Sequence, residues 1–146
     1  MAKNIIQTSA APAAIGPYSQ AVRTGNTVYL SGQIGLDPTT GNLRDGVQAQ
    51  ARQVVANLRA VAEAAGGSLD DIVKMTLLLA DMSDFKSVNE ILASSFAAPY
   101  PARATYQVAA LPKDARVEIE GVMIVQPASG QASPGARPMF DDSKGQ

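Results

Sequence analysis

The sequence contains no cysteine, no histidine and no tryptophan. Without thiols it has neither disulfides nor a thiol nucleophile. Without imidazole it has no Ser-His-Asp or Cys-His arrangement, no general base with an ordinary pKa near neutrality, and no thiolate or imidazole metal ligand. Carboxylates, guanidinium groups, lysine, tyrosine, hydroxyls and the backbone are left to do chemistry. The simplest site they can build is a carboxylate that holds a water, facing a cation that holds an anionic substrate. Long apolar runs are missing as well: none approaches the roughly 20 residues of a membrane helix. The first nine residues lack the charged-then-apolar order of a signal peptide. The expectation is a cytoplasmic protein with no membrane partner. Charge of either sign is sparse, with 12 Lys and Arg against 13 Asp and Glu and a net charge of −1. The basic residues are scattered and form no stripe able to neutralise phosphates, so nucleic acid is not an expected partner.

What is present suits one soluble domain: 146 residues, 46% of them hydrophobic, supply enough side chains for a single core. Residues 1–126 are expected to form that domain. Residues 127–146 are mostly Gly, Ser, Pro, Ala and Asp; they cannot repay their ordering entropy and are expected to be a disordered tail.

Residues 5–8 are a short β-prone opening, and residues 10–17 read as loop. Two β-prone runs, 19–24 and 27–34, flank Gly25-Asn26, a two-residue hairpin connection. Residues 37–42 are dense in turn formers. Between residues 47 and 65, Val47, Ala51, Val54, Val55, Leu58, Val61, Ala62 and Ala65 recur at helical spacing, and Gly66-Gly67 stops the pattern. Residues 73–79 are apolar at nearly every position, which predicts a strand covered on both faces. A second helix opens at Asp81, a candidate N-cap, with Phe85, Val88, Leu92 and Phe96 on its inner stripe, and ends before Pro99 and Pro101. Two more β-prone runs, 104–108 and 115–126, are joined through a turn at 111–114. The order ββ-α-β-α-ββ predicts an α+β domain with two helices on one face of a sheet. In the last strand Val117, Ile119, Met123 and Val125 share one face, and Glu118, Glu120, Val122 and Ile124 share the other. Both faces carry large apolar residues and the helices can cover only one, so an oligomer is expected.

Few side chains could carry chemistry. Arg103 stands in Tyr100-Pro101-Ala102-Arg103, where prolines stiffen the approach to a strand and a guanidinium can present two parallel donors to a carboxylate. It can equally be a surface arginine or half of a structural ion pair. Glu118 and Glu120 are like charges two apart on one strand face. One of them can have a raised pKa and serve as a base, or both can be solvated or paired with Lys74, Arg103 or Arg116. Tyr18 follows a Gly-Pro turn and is either a cleft residue or ordinary packing. In Ser31-Gly32, the glycine either lets a ligand approach the backbone closely or marks a β-bulge. The glycines form no nucleotide-binding pattern.

Three stretches in order and spacing, Gly16-Pro17-Tyr18-Ser19-Gln20-Ala21-Val22, residues 29–38, and Pro101-Ala102-Arg103 running on through Leu111-Pro112-Lys113-Asp114 to Glu120, closely resemble the RidA (YjgF) family of 2-iminobutanoate/2-iminopropanoate deaminases. The likeness covers residues 5–125. It implies a homotrimer of chorismate-mutase-like units with sites in clefts between subunits. It also implies cofactor-free and metal-free hydrolysis of imino or enamine acids, released by pyridoxal-phosphate enzymes, to 2-oxo acids and ammonia. By this resemblance Arg103 binds the substrate carboxylate, Glu118 positions the water, and Tyr18 and Ser31 line the pocket; Gly32 beside Ser31 is expected to lie against the substrate. Thr105 stands where the family often has cysteine; the contact ascribed to that position is through its backbone carbonyl. The resemblance leaves a second role open, a sensing or chaperone-like trimer using the same cleft without turnover. The family's link to ribonuclease activity fits poorly with a chain lacking histidine and a basic stripe.

Overall fold

In the computed structural model, which describes residues 2–126, the chain runs β1 (Asn4–Ile6), β2 (Ala21–Thr24), β3 (Thr27–Ile34), α1 (Val47–Ala64), β4 (Ile72–Leu79), α2 (Phe85–Ser95), β5 (Ala102–Gln107) and β6 (Val117–Ile124). The expectation of a disordered tail falls on residues 127–146, outside the described residues. The strands form one sheet in the order β1-β2-β3-β6-β4-β5, with β4 and β5 parallel and every other pair antiparallel. The last strand therefore lies inside the sheet and splits the crossover β3-α1-β4. The crossover β4-α2-β5 is direct. This is the expected α+β architecture with two helices on one face, plus one short strand from the β-prone opening.

The core lies between that face and the helices. Ala51, Val54, Val55, Leu58, Val61 and Ala62 of α1 meet Val28, Leu30, Met75, Leu77, Val117, Ile119 and Met123 of the sheet, all buried. The alternation read in the last strand holds: Val117, Ile119, Met123 and Val125 are buried, while Glu120 and Ile124 on the opposite face are exposed. Gly66 ends the first helix at φ +95°, a conformation side chains resist.

Three expectations need correction. β4 is not covered on both faces: Met75, Leu77 and Leu79 are buried, but Lys74 is exposed and Thr76 and Leu78 are only half-buried, because both helices lie on the other side. Asp81 caps a 3-10 turn, Met82–Asp84, before the α-helix begins, its Oδ1 accepting from Ser83 N at 2.9 Å. β5 begins at Ala102, so Arg103 lies within the strand and not before it; pairing with β4 extends the strand past its β-prone core.

Candidate active site

Arg103 owes its place to register. It pairs with Met75 of β4, and Met75 with Gly121 of β6. Directly opposed residues share a face, so Arg103 emerges on the helix-covered side at the sheet's outer edge. There its guanidinium carbon lies 5.6 Å from the centre of the Phe85 ring at the start of α2, within cation–π range. It opens on a cavity of about 410 Å³ whose walls are Met75, Asn89, Leu92, Ala93, Phe96, Tyr100 and Pro101. Thr105 shares this face, opposite the buried Leu77. Among the described residues Arg103 makes no ion pair; the two present are Arg44 with Asp37 and Arg116 with Asp84.

Glu118 stands in a second, larger cleft of about 780 Å³, which also contains Tyr18, Ser31, Gly32, Lys113 and Glu120. Pro12, Ala13 and Ile15 form one wall and the segment from Leu36 to Gly41 another. The pairing of β3 with β6 shifts register between Leu30 and Gln33, so Ser31-Gly32 is the bulge that the sequence offered as one reading. Within the chain the group that comes close to Gly32 is a protein side chain: a Cβ on Gly32 would lie 2.9 Å from Glu118 Cδ and closer still to its carboxylate oxygen. The absent side chain leaves room for that carboxylate. Ser31 is held by its own hydroxyl, donating to Ser19 O at 2.5 Å. Burial, and secondarily the neighbouring charge of Glu120, push the Glu118 carboxyl above its ordinary range. Neither glutamate forms an ion pair among the described residues; Arg116, one of the expected partners, is bound to Asp84 at 2.9 Å.

One chain does not bring Arg103 and Glu118 together. Glu118 pairs with Leu78, three residues from Met75 on the same strand, and an odd separation along a strand means opposite faces. The expected residues thus form two groups: Arg103 and Thr105 under α2, and Tyr18, Ser31, Gly32, Glu118 and Glu120 in the cleft beyond β3.

Sequence reasoning missed the buried amides that hold the walls. Asn57 of α1, fully buried, donates to Ile34 O at 3.2 Å and Leu36 O at 3.0 Å. Gln50 accepts from Arg116 N at 2.7 Å and donates to Arg44 O at 3.1 Å. Gln20 holds the turn at residues 8–12. In the pattern, Asn57 falls at helical spacing with the apolar stripe, between Val54 and Leu58, a signal that was there to be used.

The profile of the family described as endoribonuclease L-PSP matches residues 8–125. A mouse 2-iminobutanoate/2-iminopropanoate deaminase is 52% identical over 126 residues, 86% of this chain and 93% of the relative. Among solved structures, RidA from an Antarctic Psychrobacter superposes with a TM-score of 0.83 at 56% identity, covering 84% of this chain and 99% of the other. Escherichia coli TdcF, solved with bound serine, superposes with a TM-score of 0.79 at 44% identity over 83% of this chain and 98% of the other.

Proposed function

Since the chain belongs to the RidA (endoribonuclease L-PSP) family, we propose that it deaminates reactive 2-imino acids, 2-iminobutanoate and 2-iminopropanoate, by hydrolysing the C=N bond to a 2-oxo acid and ammonia. The observation that carries this reading is the Glu118 carboxylate: half-buried, without an ion-pair partner among the described residues, and lodged over Gly32 inside a cleft. Arg103 grips the substrate carboxylate with two parallel donors. Glu118 orients a water toward the imine carbon and takes its proton as the oxygen adds and the C=N π pair moves to nitrogen. That proton passes to the nitrogen; the hydroxyl of the adduct then gives up its own proton, carried to the nitrogen by the same carboxylate, as the C–N bond breaks, so the carbonyl forms and ammonia leaves with both of the water's protons. A carboxyl pushed up by burial is better matched to accept and return that proton than an ordinary one. Imines hydrolyse readily in water, so positioning the two reactants supplies most of what is needed.

Arg103 and Glu118 face opposite sides of one sheet, so the complete site takes Arg103 from one copy and Glu118 from the next. A head-to-tail contact closes as a ring when its rotation divides a full turn, and we propose the trimer as that ring. The uncovered sheet face, with Tyr29 and Ile124 exposed and Val122 and Leu78 half-buried, is the surface available for assembly. A nuclease role finds less support: among the described residues the cleft sets Asp37, Glu118 and Glu120 against Lys113, and adding Arg103 of the next copy still leaves the carboxylates in excess, which disfavours a phosphodiester.

The test is to generate 2-iminobutanoate with a threonine dehydratase and follow its conversion to 2-oxobutanoate. The wild type should accelerate it, and Glu118→Gln and Arg103→Ala should each lose roughly 100-fold or more in kcat/KM. A wild type without effect sinks the deaminase reading. An Arg103→Ala variant at full rate removes only the carboxylate assignment.

A further inference from the structure

Gln20 is 3% exposed, directly before β2, and its side chain makes four hydrogen bonds to a different part of the chain. Its Oε1 accepts from Thr8 N at 2.7 Å. Its Nε2 donates to Thr8 O at 3.0 Å, Ala11 O at 3.3 Å and Pro12 O at 2.8 Å. The pairing of β1 with β2 stops at Ile6 opposite Ala21, and beyond that point the amide takes over the role of a strand partner for the turn. The Gln20 carbonyl accepts from Ser31 N at 3.0 Å, so one residue ties this turn to the floor strand beneath Glu118. Pro12 and Ala13, at the end of that turn, and Ile15 form the cleft wall. The turn's other side-chain hydrogen bond is local, from Ala10 N to Thr8 Oγ1.

We propose that Gln20 is a positioning residue for substrate binding, which sets the distance between the wall at Pro12, Ala13 and Ile15 and the floor at Ser31, Gly32 and Glu118. This rests on the reading of that cleft as the deaminase site. Gln20 does not itself line the cleft that holds Glu118. An amide is required because the turn offers one donor and three acceptors to a single side chain: the carbonyl takes the donor and the two N–H groups serve the acceptors, one N–H being shared, which neither a carboxylate nor an apolar chain can do. Of the turn's residues only Ala11 is buried and joins the core, and the others are exposed or half-buried, so losing the clamp loosens the wall while disturbing the core at that one small side chain. The groups that react are untouched, so binding should suffer before turnover does.

Gln20→Glu keeps the shape and the acceptor but loses the three donations; Gln20→Met keeps the length alone. Each is compared with wild type for mass in solution, for amide hydrogen exchange, and for KM and kcat with 2-iminobutanoate. Mass should be unchanged. Exchange over residues 8–15 should rise about tenfold while that of α1 stays put. KM should rise roughly fivefold or more with kcat within about threefold. If the Met variant fails to fold, the Glu variant carries the same reading. Faster exchange with wild-type KM and kcat would reduce Gln20 to a structural clamp, and unchanged exchange in both variants would remove the clamp itself. An inactive wild type overturns the deaminase reading and this one with it, whereas an active wild type whose KM survives in the variants overturns only the role of Gln20.

Discussion

The Glu118 carboxylate fills the space where Gly32 has no side chain, and this contact gives function a sharper test than stability. In Gly32→Ala the new methyl group meets the far end of a flexible side chain, which can rotate away at a cost of about 0.5–1.5 kcal/mol. The protein should therefore fold nearly as well as wild type while the base leaves its position, with kcat/KM falling roughly 100-fold, as expected for a misplacement of about 1 Å; thermal melts and imine decay on the same samples separate the two effects. The raised Glu118 carboxyl also has a pH signature. Activity that needs the carboxylate should rise with pH through a midpoint above the ordinary glutamate range, and Glu120→Gln, which removes the secondary cause, should move that midpoint down. Stability runs the other way. A carboxyl with a raised folded pKa stabilises the fold below its unfolded pKa, and that contribution disappears as pH climbs through the folded value. Glu118→Gln should accordingly be more stable than wild type at neutral pH, by a margin that closes on acidification, in denaturant titrations across that range. The sequence offered Gly32 as a bulge or as a place for a ligand to approach; the bulge is there, and the group that comes close is Glu118. That its neighbour would be Glu118 depended on the pairing of strands some 85 residues apart in the chain, which no local pattern records.

α1 shows what helical periodicity does and does not reveal. Its apolar stripe was legible because burial against the sheet repeats every turn, and six of its residues are buried where the spacing predicts. Gln50 and Asn57 lie on the same face, and an amide there reads as an interruption of the stripe until its acceptors are known. The structure supplies them: Asn57 answers two carbonyls at the end of β3, where the chain turns into the cleft wall, and accepts from Gln53 Nε2 at 2.8 Å. Asn57→Leu would remove the amide donor from two partly buried carbonyls; the Ile34 carbonyl still accepts from Leu36 N at 2.8 Å, so the main loss falls on the Leu36 carbonyl, at about 1–3 kcal/mol. A stability loss of roughly 1–3 kcal/mol by denaturant titration is the expected outcome, and a loss under about 0.5 kcal/mol would mean that water replaces the amide. Strand ends were less legible than the helix. The two extra strand residues of β5, Ala102 and Arg103, are imposed by pairing with β4, and the half-exposed face of β4 reflects where the helices lie; neither is a property of the local residues.

For the whole molecule, the question is why one chain carries both halves of a site it cannot close. β4 and β6 present Met75 and Gly121 to the helices, and Leu78 and Glu118 to the other side. Whatever the loops do, Arg103 and Glu118 therefore stay on opposite faces. If copies assemble head to tail, each contact brings the Arg103 edge of one against the Glu118 cleft of the next. The arrangement predicts complementation between two dead enzymes. Arg103→Ala and Glu118→Gln should each be inactive alone; unfolded together in equal amounts and refolded, they should form mixed rings. In those rings a site is intact when its arginine comes from the Glu118→Gln chain and its glutamate from the Arg103→Ala chain. Random assortment makes that about one site in four, so roughly a quarter of wild-type activity should return. Mixing without unfolding should restore it only as fast as subunits exchange. A refolded mixture that matches the wild-type mass in solution and remains inactive would place both residues in one subunit's site, against the geometry of the sheet.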